Sequence, residues 1–192
     1  MRALRKLALA IALGVCVWAS AMTAARSVGM SGFDGEMAAA NPARWVGIKW
    51  PFLLDEWGMG RAFVCKPADC GSEVTLYLRA KVGFCSCTAG IADNDDLDRV
   101  GDLRLLSDRF VGLSEGHAIT VAGMSGRSRP YEVSLPLWRT QTAVAIALHA
   151  SCDAVVATVV ADPDQLTTAE LHALRFLEGD TAMRWIKMIL TS

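Results

Sequence analysis

Residues Thr142 to Ala161 read TAVAIALHASCDAVVATVVA: two runs of alanine, valine and isoleucine parted by Ser151-Cys152-Asp153. Each run has the length and β-branched content of a strand, and the polar triplet between them has turn chemistry. A single membrane-crossing helix is the competing reading. It fails because His149, Ser151, Cys152 and Asp153 fall at its middle, where a charge costs ~3 kcal/mol even on the lenient insertion scale. The stretch is therefore a buried antiparallel hairpin, and the remaining elements have to build a sheet around it.

Working outward, Glu73 to Phe84 (EVTLYLRAKVGF) sets Val74, Leu76 and Leu78 against Thr75, Tyr77 and Arg79, which predicts a strand with one buried face. His117–Met124 and Tyr131–Leu135 read as two more strands, joined by a turn over Ser125-Gly126-Arg127-Ser128-Arg129-Pro130. From Arg44 the chain is irregular and aromatic, interrupted by Pro51, Gly58 and Gly60, and it ends in a short strand at Arg61–Cys65. Asp93 to Asp96 opens an internal helix with Leu97, Val100, Leu103 and Leu105 or Leu106 at helical spacing, and acids suit its first turn. A C-terminal helix starts at Thr167-Thr168-Ala169-Glu170 with Leu171, Leu174 and Leu177 on one face. Gly179 stops it, and Asp180 caps a second set with Met183, Ile186 and Ile189 or Leu190 beside Trp185. The order predicts an α+β fold: a mainly antiparallel sheet covered on one face by a C-terminal helix, with one shorter internal helix.

The beginning of the chain reads as an address. Arg2, Arg5 and Lys6 precede an apolar run from Leu7 to Val17 and a small-residue stretch to Ala25, the layout of a secretory signal peptide. Cleavage is expected after Ala25, with Ala21 as the other small-x-small site. The alternative is an uncleaved segment anchoring the protein in the inner membrane through residues 7–25. The predicted organisation is thus a signal at 1–25, a flexible leader at 26–43 and a single α+β domain at 44–192, working in the periplasm.

Of 192 residues, 53% are hydrophobic and 20% charged, enough apolar content for a core and too much for a disordered tail. Loss of residues 1–25 removes three basic groups and no acid, leaving 16 Lys and Arg against 20 Asp and Glu, a charge of −4. A mildly acidic product has no electrostatic footprint for nucleic acid.

Cysteine is the sharpest chemical signal. Cys16 leaves with the signal, and Cys65, Cys70, Cys85, Cys87 and Cys152 remain. In an oxidising compartment the default is two bridges and one spare thiol. Cys65 and Cys70 bracket a turn that brings their Cα atoms into disulfide range. Cys85 and Cys87 point to one side of an extended chain about 6.6 Å apart. One of them, Cys87 in our assignment, reaches Cys152 at the hairpin tip. The competing chemistry uses Cys85 and Cys87 as two soft thiolates for copper, with Met59 and Met124 completing the shell, or as a thiol-redox pair. No Cys-x-x-Cys is present, so the structural staple is the leading expectation, with no cofactor.

Other groupings point to binding. Trp45, Trp50 and Trp57 offer broad apolar area with an N–H donor, suited to a partner or small ligand. Arg127 and Arg129, with Arg139 nearby, offer an anion contact on the expected turn. Asp93, Asp95, Asp96 and Asp98 do not form a calcium loop, because Asp98 stands where glycine is needed. His117, His149 and His172 belong to no catalytic motif.

The run Trp50-Pro51-Phe52, Trp57, Phe63, Cys65, Cys70-Gly71, Tyr77-Leu78-Arg79, Gly83-Phe84-Cys85-Ser86-Cys87 and Asp98-Arg99-Val100, with Arg127-Ser128-Arg129-Pro130 and Cys152-Asp153, resembles a family of exported bacterial proteins of unknown function. The resemblance implies export and a shared fold and carries no activity. The expectation is an exported, disulfide-stapled, non-catalytic binding or accessory protein of the cell envelope. Its partner is an envelope protein or a small ligand, and it meets a membrane only if the N-terminal segment stays attached.

Overall fold

The structure, a computed structural model, describes residues 43–84 and 90–190. The expected signal and nearly all of the leader, together with Cys85 and Cys87, lie outside the described residues. In chain order the elements are β1 (Trp45–Ile48), β2 (Arg61–Cys65), α1 (Pro67–Cys70), β3 (Val74–Lys81), α2 (Asn94–Val100), β4 (Phe110–Gly112), β5 (His117–Val121), β6 (Met124–Ser134), β7 (Thr140–Ala150), β8 (Asp153–Ala161), α3 (Leu166–Glu178) and α4 (Asp180–Leu190), with single 3-10 turns at Leu103–Leu105, Pro136–Trp138 and Pro163–Gln165. The strands form one antiparallel sheet in the order β1-β2-β3-β8-β7-β6-β4, with β5 also on β6. This is the expected α+β class.

The hairpin of β7 and β8 sits at the sheet's centre. Ala150 faces Asp153 across a two-residue turn in which Ser151 takes a positive φ of 58°. Alternate residues of these strands enter two separate cores. On one face Val144, Ile146, Leu148, Val155, Ala157 and Val159 join Leu76 and Leu78 beneath α3 and α4. On the other, Ala143, Ala145, Ala147 and Val156 meet Leu97, Val100 and Leu103. The expectation of cover on one face is thus corrected. Helix α2 and the turn after it close the second face, which is why β7 and β8 carry no polar alternation.

Three boundaries differ from the sequence reading. The turn between β5 and β6 is Ala122-Gly123, both at positive φ (49° and 83°), the two-residue hairpin geometry that matches strand twist. Ser125 to Pro130 is therefore strand interior. Pro130 is tolerated there because its carbonyl accepts from Leu113 N at 2.9 Å on the outer side of β6, between the stretches paired with β5 and β4. Its missing N–H falls on that same broken edge. The internal helix stops at Gly101, and Leu103 reaches the core from a separate 3-10 turn.

At the C-terminus, Pro163 starts a 3-10 turn that leads into α3 at Leu166, ahead of the expected cap at Thr167. The buried stripe of α3 is Ala169, Ala173 and Leu177, while Leu171 is exposed. Alanines let the helix lie close to the sheet. Gly179 separates α3 from α4, whose Ala182 and Ile186 continue the cover. Among the described residues no helix is long and apolar enough to cross a membrane.

Candidate functional site

Strand β3 puts Tyr77, Arg79 and Lys81 on the face opposite Leu76 and Leu78. Arg79 and Lys81 are buried, with 3% and 5% of their surface exposed. Two cations out of water need counter-charges and fixed hydrogen bonds. Asp102, 4% exposed, supplies the first. The α2 helix ends at Val100 and is capped by Gly101, whose N donates to Leu97 O at 2.7 Å, and this exit delivers Asp102 over β3. Arg79 grips it with Nε (2.8 Å) and Nη2 (2.5 Å), the paired geometry in which guanidinium and carboxylate match best. Lys81 Nζ lies 2.8 Å from the same carboxylate and donates to Val100 O at 2.8 Å.

The second counter-charge comes from the segment between β1 and β2. Asp55 places both oxygens 2.7 Å from Arg79 Nη1 and accepts from Trp57 N at 2.9 Å. Partial burial pushes the Asp55 carboxyl up, but the Arg79 hydrogen bond, the Trp57 N–H and the charges of Arg79 and Lys81 outweigh it and hold the group below the ordinary carboxylate value. Desolvation likewise opposes the charge on Arg79, and the two aspartates more than restore it.

Aromatic rings wall this cluster. Trp50 meets Phe52 and Tyr77 edge-on, at 5.2 and 6.0 Å between centroids, and lies 6.0 Å from the Arg79 guanidinium. Trp57 meets Phe84 at 5.1 Å, and Lys81 Nζ lies 5.5 and 5.3 Å from those two rings. Gly60 is what lets Trp50 approach the strand: a Cβ there would stand 2.4 Å from Leu78 O and 2.6 Å from the indole. The Trp50 Nε1 donor is buried with no hydrogen-bond partner among the described residues. The arrangement suits holding an anion beside an apolar body.

Two of the three tryptophans expected to act together, Trp50 and Trp57, flank this cluster, one by Arg79 and the other by Lys81. Trp45 does not, because it packs on Phe176 of α3 on the opposite face. Arg127 and Arg129 lie within β6, and other parts of the chain hold their guanidinium groups. Arg127 donates to Asn94 Oδ1 (2.7 Å) and Gly116 O (2.8 Å). Arg129 donates to Ser114 O (2.8 Å), pairs with Asp98 (3.3 Å) and covers the Tyr131 ring. Tyr131 Oη also donates to Asp98, and desolvation together with that carboxylate raises the phenol far above its ordinary value. These arginines therefore clamp α2 to the sheet and do not form an exposed anion contact. Arg139 is exposed on the wall of a groove of about 510 Å³ that it shares with Ser107, Arg109, Ser134 and Thr140.

The acidic run before α2 is a capping device: Asp93 accepts from Asp96 N (2.8 Å), and Asp96 accepts from Ala92 N (3.0 Å) and pairs with Arg99. His117 faces Glu170 at 3.2 Å, while burial, with Arg175 nearby, lowers the His172 pKa.

The expected disulfide joins Cys65 and Cys70, with an S–S distance of 2.05 Å and Cα atoms 6.0 Å apart across the single turn of α1. Cys152 is also disulfide-bonded, and since Cys65 and Cys70 hold each other, its partner lies outside the described residues. Of the methionines expected beside copper, Met59 is exposed and Met124 packs against the core under α3 and α4. Among the described residues no group of three or more His, Cys, Asp or Glu could hold a metal ion.

Sequence reasoning missed Asp55, Arg79, Lys81 and Asp102 as a unit. One signal was present: Arg79 and Lys81 alternate with Leu78 and Ala80 in a strand that continues into the core. No protein-family model matches the chain, and no curated protein matches it.

Proposed function

We propose that this chain is exported and acts outside the cytosol as a disulfide-stapled binding or accessory protein, with the Arg79–Lys81 cluster beneath Trp50 and Trp57 as its ligand-facing region. The observation that carries the reading is sulfur usage. Cys65, Cys70 and Cys152 are all bonded, and such cross-links persist in oxidising compartments. The signal-like segment at residues 1–25 and the resemblance to exported proteins support the same address.

The copper or thiol-redox alternative has less support. On the expected pairing of Cys87 with Cys152, a two-thiolate site at Cys85 and Cys87 would lose half its donors.

The test is to express the full chain in a Gram-negative host, fractionate the cells, and map the N-terminus and disulfides by mass spectrometry. The expected product is periplasmic, begins at Arg26 and contains two intramolecular bridges. Full-length cytosolic protein with every thiol reduced would overturn the proposal.

A further inference from the structure

Arg79, Lys81 and Asp102 are each more than nine-tenths buried and together carry one unbalanced positive charge. A buried excess charge is strongly disfavoured, so an anion must complete the set. Asp55 does so from a less enclosed position: its side chain is 33% exposed, against 4% for Arg79 and Asp102 and 6% for Lys81. The atoms of Arg79 are divided accordingly. Nε and Nη2 face inward to Asp102, and Nη1 holds both oxygens of Asp55. The frame of β3 and α2 thus has one permanent acid and a vacancy for a second carboxylate.

The segment that fills the vacancy is lightly held. Residues 55–58 form a turn closed on itself, with Gly58 N donating to Asp55 O at 3.0 Å and Trp57 N to the Asp55 side chain. Leu53, Leu54 and Met59 around it are exposed, at 91%, 71% and 68%. Among the described residues, the contacts that hold this tip on the sheet are the Trp57 ring against Phe84 and Lys81 and the grip of Arg79 on Asp55 and the Gly58 carbonyl.

We infer that Arg79 and Lys81 form a binding site for the carboxylate of an acidic ligand, and that Asp55 occupies it as a built-in stand-in which the ligand displaces. This deepens the binding reading above and rests on it. A monoanion matches the single unbalanced charge, its two oxygens reproduce those of Asp55 on Nη1, and Trp50 and Trp57 flank the position. A dianion such as phosphate would overcompensate.

The test is to titrate the full chain and an Asp55→Asn variant with benzoate while reading tryptophan emission, using benzamide as the uncharged isostere and chloride at matched ionic strength. Benzoate is expected to give a saturable change in both proteins, at least tenfold tighter in Asp55→Asn because the internal competitor is gone, with no response to benzamide. If Asp55→Asn does not fold, the native chain decides. A saturable benzoate response, with faster thermolysin cleavage at Leu53-Leu54, supports displacement. A native chain that ignores benzoate, or a variant that binds no tighter, overturns it. An exported, bridged protein that ignores benzoate overturns only this inference, whereas a cytosolic, reduced one overturns the export reading whatever benzoate does.

Discussion

Beneath α3 and α4, β3 contributes Leu76 and Leu78 to a core of valines, leucines and isoleucines; on its other side the same strand contributes Arg79 and Lys81. The β3 side chains on both sides are buried, yet they are held by different physics. The apolar side needs only volume and shape, and any branched side chain of the right size nearly serves. The charged side needs partners of opposite sign, delivered from Asp55 and Asp102, which lie 24 and 23 residues away on either side of Arg79. Burial alone therefore says little about what holds a surface together. The first arrangement tolerates exchange of one apolar side chain for another of like size, and the second is costly to break at its enclosed acid, Asp102.

The sharpest way to break the comparison is Asp102→Ala, which leaves Arg79 and Lys81 buried without their shared acid. A loss of about 3–5 kcal/mol is expected in urea denaturation. Replacing the group together, Arg79→Leu with Lys81→Met and Asp102→Leu, is expected to recover most of that loss, because the penalty lies in the unpaired charge. On the apolar side, Leu76→Ala is expected to cost about 3 kcal/mol by the same measurement, from lost burial and the cavity left behind.

The covalent tie belongs to that side too. Cys65→Ala with Cys70→Ala opens a short loop and is expected to cost about 2 kcal/mol on the chain-entropy estimate. The smallest effect is expected from acid. The folded-state pKa of Asp55 is depressed below 3.8, so its contribution is present above that value and is lost as pH falls through the lower folded one. Tryptophan emission from Trp50 and Trp57 should change below pH 3.8 in the native chain and stay flat there in Asp55→Asn.

The same contrast explains what could be read in advance. The β7–β8 hairpin, β2, β3, the cap at Asp93 and the break at Gly179 follow from local composition and spacing, so they were legible. So was the Cys65–Cys70 bridge, which one helical turn closes. The stripe on α3 was misjudged because leucines drew attention while Ala169 and Ala173 made the contact. The stretch from Ser125 to Pro130 read as a turn because its residues favour turns. Register decides otherwise: Arg127 and Arg129 find Asn94 and Asp98 on α2, partners that no local pattern announces. The charged cluster was hidden for the same reason, since Asp55, Arg79 and Asp102 are each unremarkable alone.

Pro130 has one more effect. By separating β4 from β5 it cuts one margin of the sheet into pieces of three and five residues, and the opposite margin, β1, has four. Among the described residues, a neighbouring molecule seeking to extend the sheet meets no long row of open amides on which to polymerise. The seam that interrupts the ladder thus protects a valine-rich chain against fibrous self-association at high concentration.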